Sequence, residues 1–139
     1  MSDLQFSLND YLLVKLHFSL IERIKAEGSL TFQPQIQCGH LINKDNNVEV
    51  ILDIRIEGDT LPFIVDVAYK GIFNFNTDLK VVEKEVLEKV IYINCAASLF
   101  PSIRETIAEV TRKAGVKPMI LPPLNFVNLY NQSNFDDPK

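Results

Sequence analysis

Five aliphatic residues at every second position, Val48, Val50, Leu52, Ile54 and Ile56, constrain this chain more than any other feature. Glu49, Ile51, Asp53, Arg55 and Glu57 alternate with them, so one side of the segment is apolar and the other mostly charged. Side chains alternate across a strand with period two, whereas a helix would scatter these ten residues around its circumference. The segment is therefore a half-buried strand, and its backbone donors and acceptors require neighbouring strands.

Candidates for those neighbours lie on both sides. Leu12, Val14, Leu16, Phe18 and Leu20 alternate with Leu13, Lys15, His17, Ser19 and Ile21 and predict a first strand. Leu30, Phe32, Ile36 and Cys38 alternate with Thr31, Gln33, Gln35 and Gln37, and Pro34 makes this an edge strand or a bent crossing segment. Asn43 to Asn47 reads as a polar turn, and Gly58, Asp59 and Thr60 as a short loop. Phe63, Val65, Val67 and Tyr69, opposite Ile64, Asp66, Ala68 and Lys70, predict a fourth strand. Short connections of this kind favour a mainly antiparallel sheet.

At Thr77 the period changes. Leu79, Val82, Val86, Val90, Ile93 and Ala97, followed by Leu99, Ile103, Ile107, Val110 and Ala114, recur every three or four residues and predict a long amphipathic helix. Thr77 or Asp78 can cap its start, and Glu83 and Glu85 suit the positive end of the helix dipole. Pro101 lacks a backbone donor and is expected to kink or divide the helix. Lys113, Gly115 and Pro118 form a stop signal, after which an extended apolar segment leads to a short helix at about 125–132. The expected fold is α+β, with a four-stranded antiparallel sheet packed on a long proline-interrupted helix and a short C-terminal helix. At 139 residues, the whole of 1–139 fits one domain.

Composition narrows the function. Hydrophobic residues make up 47% and charged residues 23%, ordinary for a globular chain. A net charge of −4 without any Lys/Arg run speaks against nucleic acid as a partner. No run of 18 apolar residues suggests a membrane-spanning helix. Met1 to Asp10 lacks the basic start and apolar run of a signal peptide. The two cysteines, Cys38 and Cys95, are too few for a disulfide scaffold and suit a reducing cytoplasm. His17 and His40 have no clustered Cys or His partners, so no metal site is expected. Neither cysteine sits in the electropositive setting of a catalytic thiol. The pairs Glu83/Glu85 and Asp136/Asp137 lie in a charged turn and a polar tail, and the glycines form no phosphate loop. Binding, without catalysis or a cofactor, is the expected class of function.

Several motifs carry a resemblance. Gly71-Ile72-Phe73 closes the fourth strand; Leu99-Phe100-Pro101-Ser102-Ile103-Arg104-Glu105 lies in the helix; Leu121-Pro122-Pro123-Leu124-Asn125-Phe126 and Leu129-Tyr130 follow. Phe32-Gln33-Pro34-Gln35-Ile36 precedes them between two strands. In this order and separation the motifs resemble SecB, the export chaperone family. The resemblance implies a homotetramer, a dimer of dimers, that holds unfolded or precursor polypeptides in hydrophobic grooves. It places Phe32 and Ile36 at the strand crossover, and Leu121, Phe126, Leu129 and Tyr130 in the groove-lining loop and last helix.

Family members in secretion also turn an acidic sheet face towards the SecA motor, and the matching residues here are Glu49, Asp53, Glu57, Ile64 and Asp66. The first strand departs from that pattern, with Lys15, Leu16 and His17 where those members carry acids, and the chain ends in Asn134 to Lys139 without a long acidic tail. These departures weaken the expectation of SecA docking and leave client holding in place. Two other readings compete: a dedicated chaperone of the same fold, such as one protecting an antitoxin, and a small-molecule site using His17, His40 and Asp66.

Overall fold

The computed structural model describes residues 4–21 and 32–132. Four strands, β1 (Phe6–Leu20), β2 (Gln35–Ile42), β3 (Asn47–Ile56) and β4 (Phe63–Phe75), form one sheet in the order β1-β4-β3-β2, with every pairing antiparallel. The alternating strand is β3, and Val48, Val50, Leu52, Ile54 and Ile56 are all fully buried. They meet the inward residues of β4, among them Phe63, Val65, Val67 and Phe73, under the long helix.

β2 begins after Pro34 and lies on one edge, as a proline near a strand start requires. Phe32 precedes the strand, while Leu30 and Thr31 lie outside the described residues. β1 forms the other edge and differs from the simple alternation. Asn9 and Val14 are extra residues, with register shifts between Leu8 and Asp10 and between Leu13 and Lys15. Each extra residue reverses the faces beyond it. Tyr11 and Leu13 pair with Gly71 and Tyr69 on the inner face, and beyond Val14 that face is taken by Leu16, Phe18 and Leu20. Leu12 consequently points outward beside Lys70, on the side opposite Leu16.

One continuous helical stretch spans Lys84–Lys113. It comprises α1 (Lys84–Lys89), a π-helical segment (Val90–Cys95) and α2 (Ala96–Lys113), preceded by a 3₁₀ turn at Leu79–Val81. Asp78 caps that turn by accepting from the Lys80 amide. Pro101 lies inside α2 without dividing it. The irregularity comes earlier, in the π segment, and it rephases the buried stripe. Leu87, Ile91, Cys95, Leu99, Ile103 and Ile107 are buried, whereas Val86, Val90 and Ile93 are only half-buried and Ala97 is exposed. A ladder built on 3.6 residues per turn misassigns that first half, because a π turn takes more residues. By length and composition this helix could cross a membrane, yet its apolar stripe lies against the sheet, as in the core helix of a globular fold.

The helix ends at Lys113, with Gly115 at φ 80° providing the left-handed turn. Beyond it, Thr111 ties the connecting segment down. This fully buried hydroxyl donates to the Ile107 carbonyl at 2.8 Å and accepts from the Met119 amide at 2.9 Å. Thr111→Val keeps the shape but leaves the Met119 donor unsatisfied, at an expected cost of about 1–3 kcal/mol. Chemical denaturation checks this; an unchanged midpoint would show that the tie contributes nothing. α3 (Phe126–Asn131) closes the described chain, its start capped by Asn125, which accepts from the Asn128 amide.

Candidate functional site

The residues expected in a client groove occupy two depths. Ile36, Leu121 and Phe126 are buried within the core, Phe32 and Leu129 are half-buried and pack against it, and Tyr130 is half-buried. Two aromatic contacts seat α3 on the long helix. Phe126 meets Phe100 edge-on, with centroids 6.0 Å apart, and Tyr130 stacks on Tyr92 at 6.2 Å and 20°. Tyr92 also reaches edge strand β2, where its hydroxyl lies 2.8 Å from His40 Nδ1 and the two rings cross at 87°. The seam His40–Tyr92–Tyr130 thus joins β2, the π segment and α3.

The Tyr92 part of this seam carries no sequence signal, because Tyr92 falls between the residues of the helix stripe as first phased. Burial pushes the Tyr92 hydroxyl up to about 12, with Cys38, Glu88 and Tyr130 acting in the same direction, so it remains protonated. Burial holds the His40 imidazole below its usual range, opposed by Glu88 and assisted by Lys84. Exposed apolar residues lie on the same elements: Ile42 on the helix side of β2, Ile120 on the connecting segment and Val127 on α3, while the exposed Leu41 of β2 pairs with Glu49 on the other face. An open cavity of ≈ 430 Å³ lies between the helix and the start of α3, lined by Ile93, Asn94, Ala97 and residues Pro123 to Val127.

The opposite face of the sheet is polar. Glu49, Asp53, Glu57, Ile64 and Asp66 do share it, but each of these four acids has a cation. Lys70 bonds Glu49 at 2.8 Å, Arg55 bonds Glu57 at 3.2 Å, Lys15 pairs with both Asp53 and Asp66, and Arg55 lies 3.5 Å from Asp66. Lys15 reaches this face because of the extra residue at Val14. Burial and the Asp66 carboxyl push Asp53 up to about 6 against the pull of Lys15. Burial acts against the Asp66 charge too, yet hydrogen bonds from Asp53 and Lys15 hold that carboxyl below its usual range. In these pairs the face is close to charge-balanced, with four acids and three bases.

The three polar groups of a small-molecule site are not brought together. His17 pairs with Asp66 on the outer face, while His40 meets Tyr92 on the helix side. Among the described residues, no group of three or more His, Cys, Asp or Glu is placed to hold a metal ion. Cys38 and Cys95 are buried, and burial pushes both thiols up to about 12, so neither forms a thiolate near neutrality.

Residues 17–136 match the family model described as preprotein translocase subunit SecB. The protein-export protein SecB of Paramagnetospirillum magneticum is 39% identical over 89 residues, 61% of this chain and 54% of that protein. Those of Rhodopseudomonas palustris (strain HaA2) and Rhodospirillum centenum are 37% and 35% identical over 110 and 111 residues, covering 67% and 63% of their own lengths. The chain thus spans about half to two thirds of the length of these relatives. Among solved structures, a SecB-like chaperone of Mycobacterium tuberculosis, in complex with an antitoxin peptide, superposes with a TM-score of 0.73. It covers 86% of this chain and 90% of its own, at 16% sequence identity. That likeness is one of fold.

Proposed function

Because this chain belongs to the SecB family, we propose that it is a holding chaperone that binds non-native polypeptides along the surface between edge strand β2, the connecting segment and α3, keeping them competent for export. The observation that carries this reading is the aromatic seam His40–Tyr92–Tyr130, which brings an open strand edge and an amphipathic helix to one surface. Aromatic and aliphatic walls hold apolar segments without demanding a sequence, and a free strand edge can pair with an extended backbone. Ile42 and Val127 supply exposed apolar area on two of the elements that the seam joins, and Ile120 adds more on the connecting segment.

The working form is a cytoplasmic homotetramer, a dimer of dimers. Its support is β1, an edge strand on which Tyr11, Leu13, Leu16 and Leu20 stand exposed on the face that bears the helix. Apolar area of this kind on an unpaired edge calls for cover.

A second reading, a dedicated chaperone of one partner such as an antitoxin, draws on the near-balanced sheet face. With Lys15, Arg55 and Lys70 already paired to its acids, that face offers little uncompensated charge to a motor protein such as SecA. The deciding experiment is light scattering of the protein with and without a reduced, alkylated unfolded protein. A mass near four chains that rises by one client is the expected result. A particle that ignores this client but takes up a single antitoxin peptide would transfer the proposal to the second reading. One that ignores both would remove it.

A further inference from the structure

α3 is a short helix of six residues, too short to be stable alone, so its position is set by what it packs on. Phe126 fixes its first turn on Phe100. Its last turn rests on Tyr92 through Tyr130, and Tyr92 in turn is fixed by His40 from across the groove. We propose that Tyr92 is a positioning residue of the client groove, one that sets the separation of β2 and α3 by bonding His40 on one side and stacking Tyr130 on the other. The inference rests on the groove reading above.

The hydrogen bond makes this latch directional. A neutral His40 with its hydrogen on Nε2 accepts at Nδ1 from the Tyr92 hydroxyl; a protonated His40 always carries a hydrogen at Nδ1, and the tyrosine must then accept. Charged and titratable groups around the pair are Glu88 and Lys84 from α1, Cys38 from β2 and Tyr130 from α3, with Glu85 and Glu88 bearing on Tyr130. The β3 residue paired with His40, Val50, is apolar. Burial favours the neutral imidazole in the folded protein. The unfolded chain therefore binds the extra proton, and stability from the buried neutral imidazole, complete above the ordinary value of 6.5, falls as pH drops below it, while the bond to Tyr92 must reverse its direction.

The test follows amide hydrogen exchange in α3 and, in parallel, affinity for reduced, carboxymethylated lactalbumin as the unfolded probe. Tyr92→Ala is expected to lower α3 protection and probe affinity by about tenfold each. Tyr92→Phe keeps the stack, and with it most of the affinity at pH 7.5, but loses the bond to His40, so the change in α3 protection between pH 7.5 and 5.5 is expected to differ from that of the unaltered protein. If Tyr92→Ala unfolds the chain, the pH comparison between the unaltered protein and Tyr92→Phe decides alone. Unchanged α3 protection in Tyr92→Ala, or an unaltered pH response in Tyr92→Phe, overturns the latch. Loosened α3 with undiminished probe affinity overturns the positioning role. Failure of the groove reading itself has a separate signature, full probe affinity in Tyr130→Asp.

Discussion

Phe73→Ala is expected to destabilise the protein by about 3–5 kcal/mol, the usual cost of deleting a buried phenyl ring. Phe73 is fully buried near the end of β4, pairs with Leu8 and Val48, and meets Phe6 edge-on at 5.4 Å. Its ring also occupies the space over Gly71. A β-carbon there would lie 2.6 Å from the Phe73 ring and 2.8 Å from a Leu99 methyl. Glycine at 71 is thus a consequence of how tightly the sheet, Phe73 and the helix residue Leu99 are packed. Gly71→Ala alone should cost about 1–3 kcal/mol through overpacking. In the Phe73→Ala background the ring is gone, so the second substitution should cost less, and the pair should be non-additive. Urea unfolding of the four proteins measures this, with the slope unchanged. Simple addition of the two costs would mean that Gly71 is not held by this contact.

That packing explains which parts of the fold were legible in sequence. β3 was, because helix and neighbouring strands cover all five of its inward residues and no insertion disturbs the alternation. β1 was legible as a strand but not in its faces. Tyr11 and Leu13 stand on the face that bears the helix, so strict alternation would set Lys15 there among apolar side chains and away from Asp53 and Asp66. The extra residue at Val14 turns Lys15 outward and returns Leu16 and Phe18 to the inner face. The trace of this in sequence is the apolar run Leu12-Leu13-Val14, where two alternations of opposite phase meet. The helix posed the same problem in another form. Its second half followed 3.6-residue spacing, while the π segment displaced the first half and hid Tyr92.

The sheet's outer face shows what register controls. Glu49, Asp53 and Glu57 were visible as one strand face from spacing, and Asp66 joined them through the family resemblance. Their neutralisation was not, because it depends on Lys15 arriving from β1 after the extra residue and lying within reach of two carboxyls. Ion pairs across strands are products of register, and register is a property of the assembled sheet.

Tyr130→Asp is expected to weaken binding of an unfolded client by on the order of 30-fold or more, the loss typical of a hot-spot aromatic. Phe126 is a poorer probe, since it is buried against Phe100 and a charge there would undock α3. Tyr130 is half-buried, so a carboxylate at 130 can stay solvated while it removes the aromatic face stacked on Tyr92. Ile51→Asp provides the control. Ile51 is 40% exposed on the outer face of β3, on the far side of the sheet from Tyr92. The same charge there should change affinity by no more than about twofold, as at ordinary surface positions. Titration calorimetry on variants with unchanged unfolding midpoints makes the comparison. Loss at Tyr130 alone would mean that clients lie along the α3 surface. Equal loss at both positions would mean that added negative charge repels the client wherever it is placed, and intact binding in Tyr130→Asp would move the client elsewhere on the molecule.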